Sequence, residues 1–106
     1  MGTDTHEQLH ASAVAIDGRG VLILGPSGAG KSDLALRLID EGAALIADDR
    51  VDLTPGDDGV VLSGPDNLAG LIEVRGVGIV RIPYETKVSL SLIVDLVKPE
   101  DVERLP

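Results

Sequence analysis

The chain has no cysteine, no tryptophan and no phenylalanine, and it has a single tyrosine, Tyr84. The missing cysteine excludes disulfides and thiolate metal sites. The missing aromatics remove the stacking platforms on which single-stranded nucleic acid is held, and they leave Val, Ile, Leu and Ala to build any core. Cations are scarce as well: 9 Lys and Arg stand against 18 Asp and Glu, for a net charge of −9. With no basic stripe, a nucleic-acid backbone is not a fitting partner. No apolar run nears the roughly 20 residues of a membrane span. The opening "MGTDTHEQ" lacks the apolar centre of a signal peptide, and His6 stands where a myristoylation motif needs Ser or Thr. These exclusions predict a cytoplasmic enzyme or regulator, without nucleic acid or membrane as partner. The 106 residues are read as one domain, 1–106, long enough to bury roughly 60–65% of the unfolded surface. Any phosphorylated ligand must be held by local chemistry against an unfavourable overall field.

Such chemistry is present in "GPSGAGKS", residues Gly25, Pro26, Ser27, Gly28, Ala29, Gly30, Lys31 and Ser32. The stretch fits G-x-x-x-x-G-K-[ST] at every fixed position, after the apolar run "VLIL" and before the helical pattern Leu34, Ala35, Leu38, Ile39. A glycine-rich strand-to-helix turn with an incidental lysine is the plainer reading, but the motif and its flanks together predict a phosphate loop. Gly28 and Gly30 let backbone N–H groups turn inward, and the helix start adds its positive end. Lys31 is placed to reach the β- and γ-phosphates of a nucleotide, and the Ser32 hydroxyl to ligate Mg²⁺.

The rest of the chain reads as mostly β. "ASAVAI" (11–16) and residues 21–24 flank the turn signal "DGRG" and predict a hairpin. Gly42 suits a helix C-cap. "AALIAD" (43–48) predicts a buried strand, "VDLT" and "VVLS" a hairpin around "PGDDG", and 71–82 and 88–97 further strands. The tail "KPEDVERLP" is polar until Leu105.

A strand from Val21, a helix from Ser32 and a strand from Ala43 make a β-α-β unit, expected to be right-handed and parallel. Ten helical residues travel roughly 15 Å from the loop, and six extended residues return by roughly 16–20 Å. Asp48 of "ADDR" is thereby brought beside the phosphates, at the carboxyl end of the sheet. Asp49, next in extended chain, faces the other way and has a different task. The alternative is a solvated acidic turn.

A lone histidine near a chain start is ordinarily a solvated surface group. If Asp17 pairs with Gly20, however, register sets His10 near residue 27, at the loop. Glu73 and Arg75 are two apart and share a face if they lie in one strand. A carboxylate for metal and a guanidinium for phosphate suit that face, as does an ordinary exposed ion pair.

Four stretches in order, "HASAVAI" set 21 residues ahead of the lysine, "GPSGAGKS", "LIADDRVDL" and "EVRGVGIV", make the chain resemble the catalytic domain of the HPr kinase/phosphorylase family. The resemblance runs from about His10 through Arg104 and is closest to the short form without the N-terminal domain. It implies an α/β phosphate-loop kinase domain with a mixed sheet around the β-α-β core, and ATP and Mg²⁺ as cofactors. The implied partner is the phosphocarrier HPr or a relative, phosphorylated on serine, in a homo-oligomer that is a hexamer in the family. The family also runs the reverse reaction, in which inorganic phosphate removes the group and releases pyrophosphate. On matching positions, His10 and Lys31 are implied as active-site residues, and Ser32 and Glu73 as Mg²⁺ ligands. Asp48 is implied as the proton acceptor, returning the proton in reverse, and Arg104 as an arginine tied to catalysis.

Two features depart from the family. The short "RIPYETK" replaces a glycine-rich loop, and the chain ends at Pro106, where the family continues with a basic segment and helices, so it is read as truncated at the C-terminus. The rival expectations are a catalytically idle ATP-binding regulatory module and a small-metabolite kinase on the same loop. The second would need a lid with arginines for which this chain has no room.

Overall fold

The computed structural model describes residues 7–57 and 59–97. Nine strands, one α-helix and a short 3-10 turn succeed one another in the described chain: β1 (Glu7–Leu9), β2 (Ser12–Ile16), β3 (Arg19–Leu24), α1 (Lys31–Asp40), β4 (Ala44–Ala47), β5 (Val51–Gly56), β6 (Gly59–Ser63), the turn Asp66–Leu68, β7 (Leu71–Val74), β8 (Gly78–Arg81) and β9 (Val88–Asp95). Seven strands form one mixed sheet in the order β1-β5-β6-β9-β3-β2-β4, and β7 and β8 form a separate two-stranded sheet. The α/β character, the mixed sheet and the hairpins at β2–β3 and β5–β6 agree with the pattern of the sequence. β1 is an addition that the polar "EQL" did not announce; it pairs antiparallel with β5.

The β-α-β unit has one strand inside it. β2 lies between β3 and β4 and is antiparallel to both, so β3 and β4 run parallel with α1 as their connection. The other neighbour of β3 is β9, in parallel. All these strands are therefore fixed around the loop that leaves β3.

The β2–β3 hairpin closes on Asp17 and Gly18, with φ of 51° and 78° and Ile16 opposite Arg19. A two-residue loop with both residues in the left-handed region matches the twist of its strands. This corrects the Asp17–Gly20 pairing: the two-residue loop sits one position earlier, which shifts each cross-strand partner by two, and His10 lies outside the ladder, between β1 and β2.

Alternation along β2 and β3 divides the core into two layers. Ala11, Ala13, Ala15 and Leu22 face Val51, Leu62 and Val88 on one side of the sheet. Val14, Val21 and Ile23 face Ala35 of α1 and Ile72 of β7 on the other. β4 breaks the alternation. Leu45 belongs to the α1 layer, but Ile46 and Ala47 both belong to the opposite one, because the β2–β4 register shifts between Ala13 and Val14. A bulge of this kind re-aims every later side chain, and here it turns Asp48 onto the face of α1.

Segment 82–87 closes the outer edge of β4: Tyr84 makes a parallel bridge with Leu45, and the Glu85 N–H donates to the Leu45 carbonyl at 2.8 Å. An edge covered in this way is protected from pairing with another chain. Among the described residues, no helix is long and apolar enough to cross a membrane.

Candidate active site

The loop between β3 and α1 has the local geometry that an anion needs. Gly28 and Gly30 hold φ of 84° and 98°, and a Cβ added at either would meet nothing within 4 Å, so the inner face of the loop opens onto space. Gly30 is also the N-cap of α1 and supplies no side-chain cap. The first N–H groups of the helix therefore keep donors for a ligand, at its positive end. Lys31 is buried, 9% exposed. Its Nζ folds back to donate to the carbonyls of Gly25 at 2.7 Å and Pro26 at 3.2 Å. In this state the lysine braces the loop, with its charge at the cavity wall.

Asp48 sits directly behind the loop serine. It is 7% exposed. Its Oδ1 accepts the Ser32 hydroxyl at 2.7 Å and the Ser12 hydroxyl at 2.7 Å, and its Oδ2 accepts the Glu73 N–H at 3.2 Å. One carboxylate thus ties α1, β2, β4 and β7 together. A hydroxyl has one proton to give, so a Ser32 that donates to Asp48 turns its lone pairs elsewhere.

Asp49 lies in a bend after β4 and makes a different contact. Its Oδ1 lies 2.7 Å from His10 Nε2, and both side chains are more than half exposed, 59% and 57%. The Asp49 backbone has φ of 74°, an uncommon conformation for a residue with a side chain and one that clusters at functional sites. The Ala11 N–H, donating to the Asp49 carbonyl at 3.2 Å, holds this turn against the start of β2.

A cavity of about 520 Å³ brings these groups together; Lys31, Ser32, Asp48, Asp49, Glu73 and His10 all line it. Ser27, Gly28 and Gly30 of the loop line it too. The two expected metal ligands, Ser32 and Glu73, are bridged by Asp48, which accepts from both residues. Arg75 differs from expectation. β7 ends at Val74, so Arg75 lies in the turn and not on the strand face of Glu73, and its Nη2 pairs with Asp33 Oδ2 at 3.5 Å. Arg104 lies outside the described residues.

The proton-acceptor role expected at Asp48 does not fit its surroundings. Oδ1 already accepts two hydroxyls, and the residue is closed in by the sheet and the loop. The acid with an open face on the cavity is Asp49. Ser12 is a site residue that the sequence did not single out, because a serine in "ASAVAI" reads as a neutral strand residue.

A glycine-rich loop joining a sheet strand to a helix N-terminus, with its serine bonded to the acid after the next parallel strand, defines a phosphate-loop α/β domain. Comparison narrows the class: residues 3–105 match the HPr Serine kinase C-terminal domain, and the chain belongs to that family. It is similar to the HPr kinase/phosphorylase of Cupriavidus metallidurans, 43% identical over 108 residues that take in 92% of this chain and 33% of that protein. It is similar also to that of Lactobacillus johnsonii, 48% identical over 77 residues, 72% of this chain and 24% of the other. The Hpr(Ser) kinase/phosphatase of Coxiella burnetii has a similar structure, with a TM-score of 0.85 and 34% identity over 94% of this chain and 71% of that one. The chain thus spans about a quarter to a third of the length of curated relatives that it matches.

Proposed function

We propose that this domain transfers the γ-phosphoryl group of ATP, with Mg²⁺, to a serine of the phosphocarrier HPr or a related phosphocarrier. The observation that carries the reading is the division of two neighbouring acids in one cavity. Asp48 is buried on the phosphate-loop serine, and Asp49 is exposed beside His10. Phosphoryl transfer to a hydroxyl needs both kinds: one group that holds the cation side, and one open to the incoming nucleophile. The names of the relatives supply the acceptor.

In this mechanism the loop N–H groups from Gly28 to Ser32 and the Lys31 ammonium hold the β- and γ-phosphates, with Nζ exchanging its loop carbonyls for phosphate oxygens. The residues around Ser32 suit Mg²⁺. Its hydroxyl, Asp48 and the Glu73 carboxylate are all oxygen ligands, one hydroxyl and two carboxylates. Such a sparse set fits a cation that keeps several waters and binds through one or two carboxylates and substrate phosphates. Held there by Ser32 and the carboxylates of Asp48 and Glu73, Mg²⁺ would supply charge neutralisation on the phosphates. Asp49 accepts the proton of the serine hydroxyl, and His10 orients it. The serine oxygen bonds to the γ-phosphorus as the bond to ADP breaks. In the reverse direction an oxygen of inorganic phosphate bonds to the phosphoserine phosphorus as the serine O–P bond breaks, protonated Asp49 gives its proton to the departing serine oxygen, and pyrophosphate is released. Arg104 is proposed as a further cation on the transferring group.

The test is incubation of the protein with γ-labelled ATP, with and without Mg²⁺ and purified HPr. Mg²⁺-dependent label on an HPr serine is the expected result. ATP binding without transfer would instead make the domain an idle nucleotide-binding module.

A further inference from the structure

Three polar or charged side chains are buried among the described residues: Lys31, Asp48 and Ser12. Two belong to the phosphate site. The third, on β2, is 1% exposed, with Ala11 and Ala13 as its neighbours in the chain. A hydroxyl with so little access to water needs a partner inside the protein, and this one donates to Asp48 Oδ1 at 2.7 Å. The same oxygen accepts the Ser32 hydroxyl at 2.7 Å.

The pairing follows from the sheet. Ala13 faces Ala47, so one step along the antiparallel ladder sets Ser12 opposite Asp48, with both side chains on one face. Without the bulge after Ala13, Asp48 would fall on the other face, away from Ser32. β2 is paired on both sides, with β3 and β4, and is a rigid platform from which to aim a side chain.

We infer that Ser12 is a positioning residue for the cation side of the site. This rests on the proposed MgATP site. Ser12 holds Asp48 Oδ1 from the sheet, Asp48 in turn takes the one proton of Ser32, and the Ser32 lone pairs are thereby left turned into the cavity. Ser12 is not among the residues that line the cavity. Its contribution is to keep Asp48 from rotating, a role that resembles the outer partners which orient metal ligands.

The test is equilibrium binding of fluorescently labelled ADP to the whole protein, titrated with Mg²⁺ and repeated in EDTA. Wild type, Ser12→Ala and Ser12→Thr are compared, with thermal melting alongside. Ser12→Ala is expected to raise the Mg²⁺ concentration for half-maximal binding roughly tenfold and to leave binding in EDTA unchanged. Ser12→Thr, which restores the hydroxyl, is expected to return the Mg²⁺ dependence to wild type. If Ser12→Ala does not fold, Ser12→Cys takes its place, because a thiol of similar size is a weak donor and an intermediate Mg²⁺ requirement is expected. A lower melting temperature with an unchanged Mg²⁺ requirement in the folded variant would overturn the inference and make Ser12 a satisfied core hydroxyl only. Wild-type protein with no Mg²⁺ effect on binding would overturn the underlying site reading as well, and the two failures are told apart by that control.

Discussion

The Ser32 hydroxyl and Asp48 Oδ1, sixteen residues apart in the chain, lie 2.7 Å from each other. The bond joins the first turn of α1 to the end of β4, and so locks the loop to the strand that returns beside it. Losing the acceptor disturbs both sides. Asp48→Asn is expected to weaken Mg²⁺-dependent nucleotide binding: with its oxygen toward the hydroxyls of Ser12 and Ser32 the amide sets its NH2 against the Glu73 N–H, and flipped it leaves both hydroxyls without an acceptor. Melting should show a loss of about 1–3 kcal/mol. Titration of nucleotide affinity against Mg²⁺ checks the first part, and denaturant unfolding the second.

Lys31 makes two bonds to loop carbonyls, so its removal has a structural and a functional component. Lys31→Ala is expected to reduce phosphoryl transfer on the order of 10²–10³-fold with the fold retained. Survival of both nucleotide affinity and transfer at wild-type levels would contradict the phosphate-loop assignment.

How much of this site could be read in advance depends on the residue. Gly25 to Ser32 carry a fixed pattern whose chemistry demands those types, and the flanking strand and helix appear as apolar periodicity. Asp48 and Asp49 are harder. Parity says that they face apart, but not which one turns inward. That choice is made by the bulge in β4, and "ALIA" has apolar residues at every position, so no polar marker betrays the slip. The position of Arg75 is hidden for a similar reason: "EVRG" reads as continuing strand, whereas the chain turns after Val74. His10 lines the same cavity as the loop, from the β1–β2 break and not from the hairpin register.

His10 and Asp49 form an exposed pair, and exposed pairs contribute about 0–1 kcal/mol. His10→Ala should therefore leave the melting temperature nearly unchanged. Transfer should fall by about 10²-fold if the histidine fixes the direction of the acceptor carboxylate. Parallel measurement of melting and of single-turnover transfer separates these effects; loss of stability without loss of rate would contradict the orienting role.

The core makes an independent prediction. Leu45 is fully buried between α1 and β7, and its carbonyl holds the covering segment through Glu85. Leu45→Ala should cost about 2–5 kcal/mol, a large share of the roughly 5–15 kcal/mol that holds a typical domain. Chemical denaturation reads this directly.

The most direct measurement is single-turnover phosphorylation of HPr by Asp49→Asn, with MgATP affinity measured on the same preparation. Asparagine keeps the shape of Asp49 and can still bond to His10, but it cannot take a proton. The account predicts MgATP affinity within a few-fold of wild type and transfer slowed by about 10²–10⁴-fold, with the reverse reaction slowed likewise. Transfer by Asp49→Asn at the wild-type rate would contradict it.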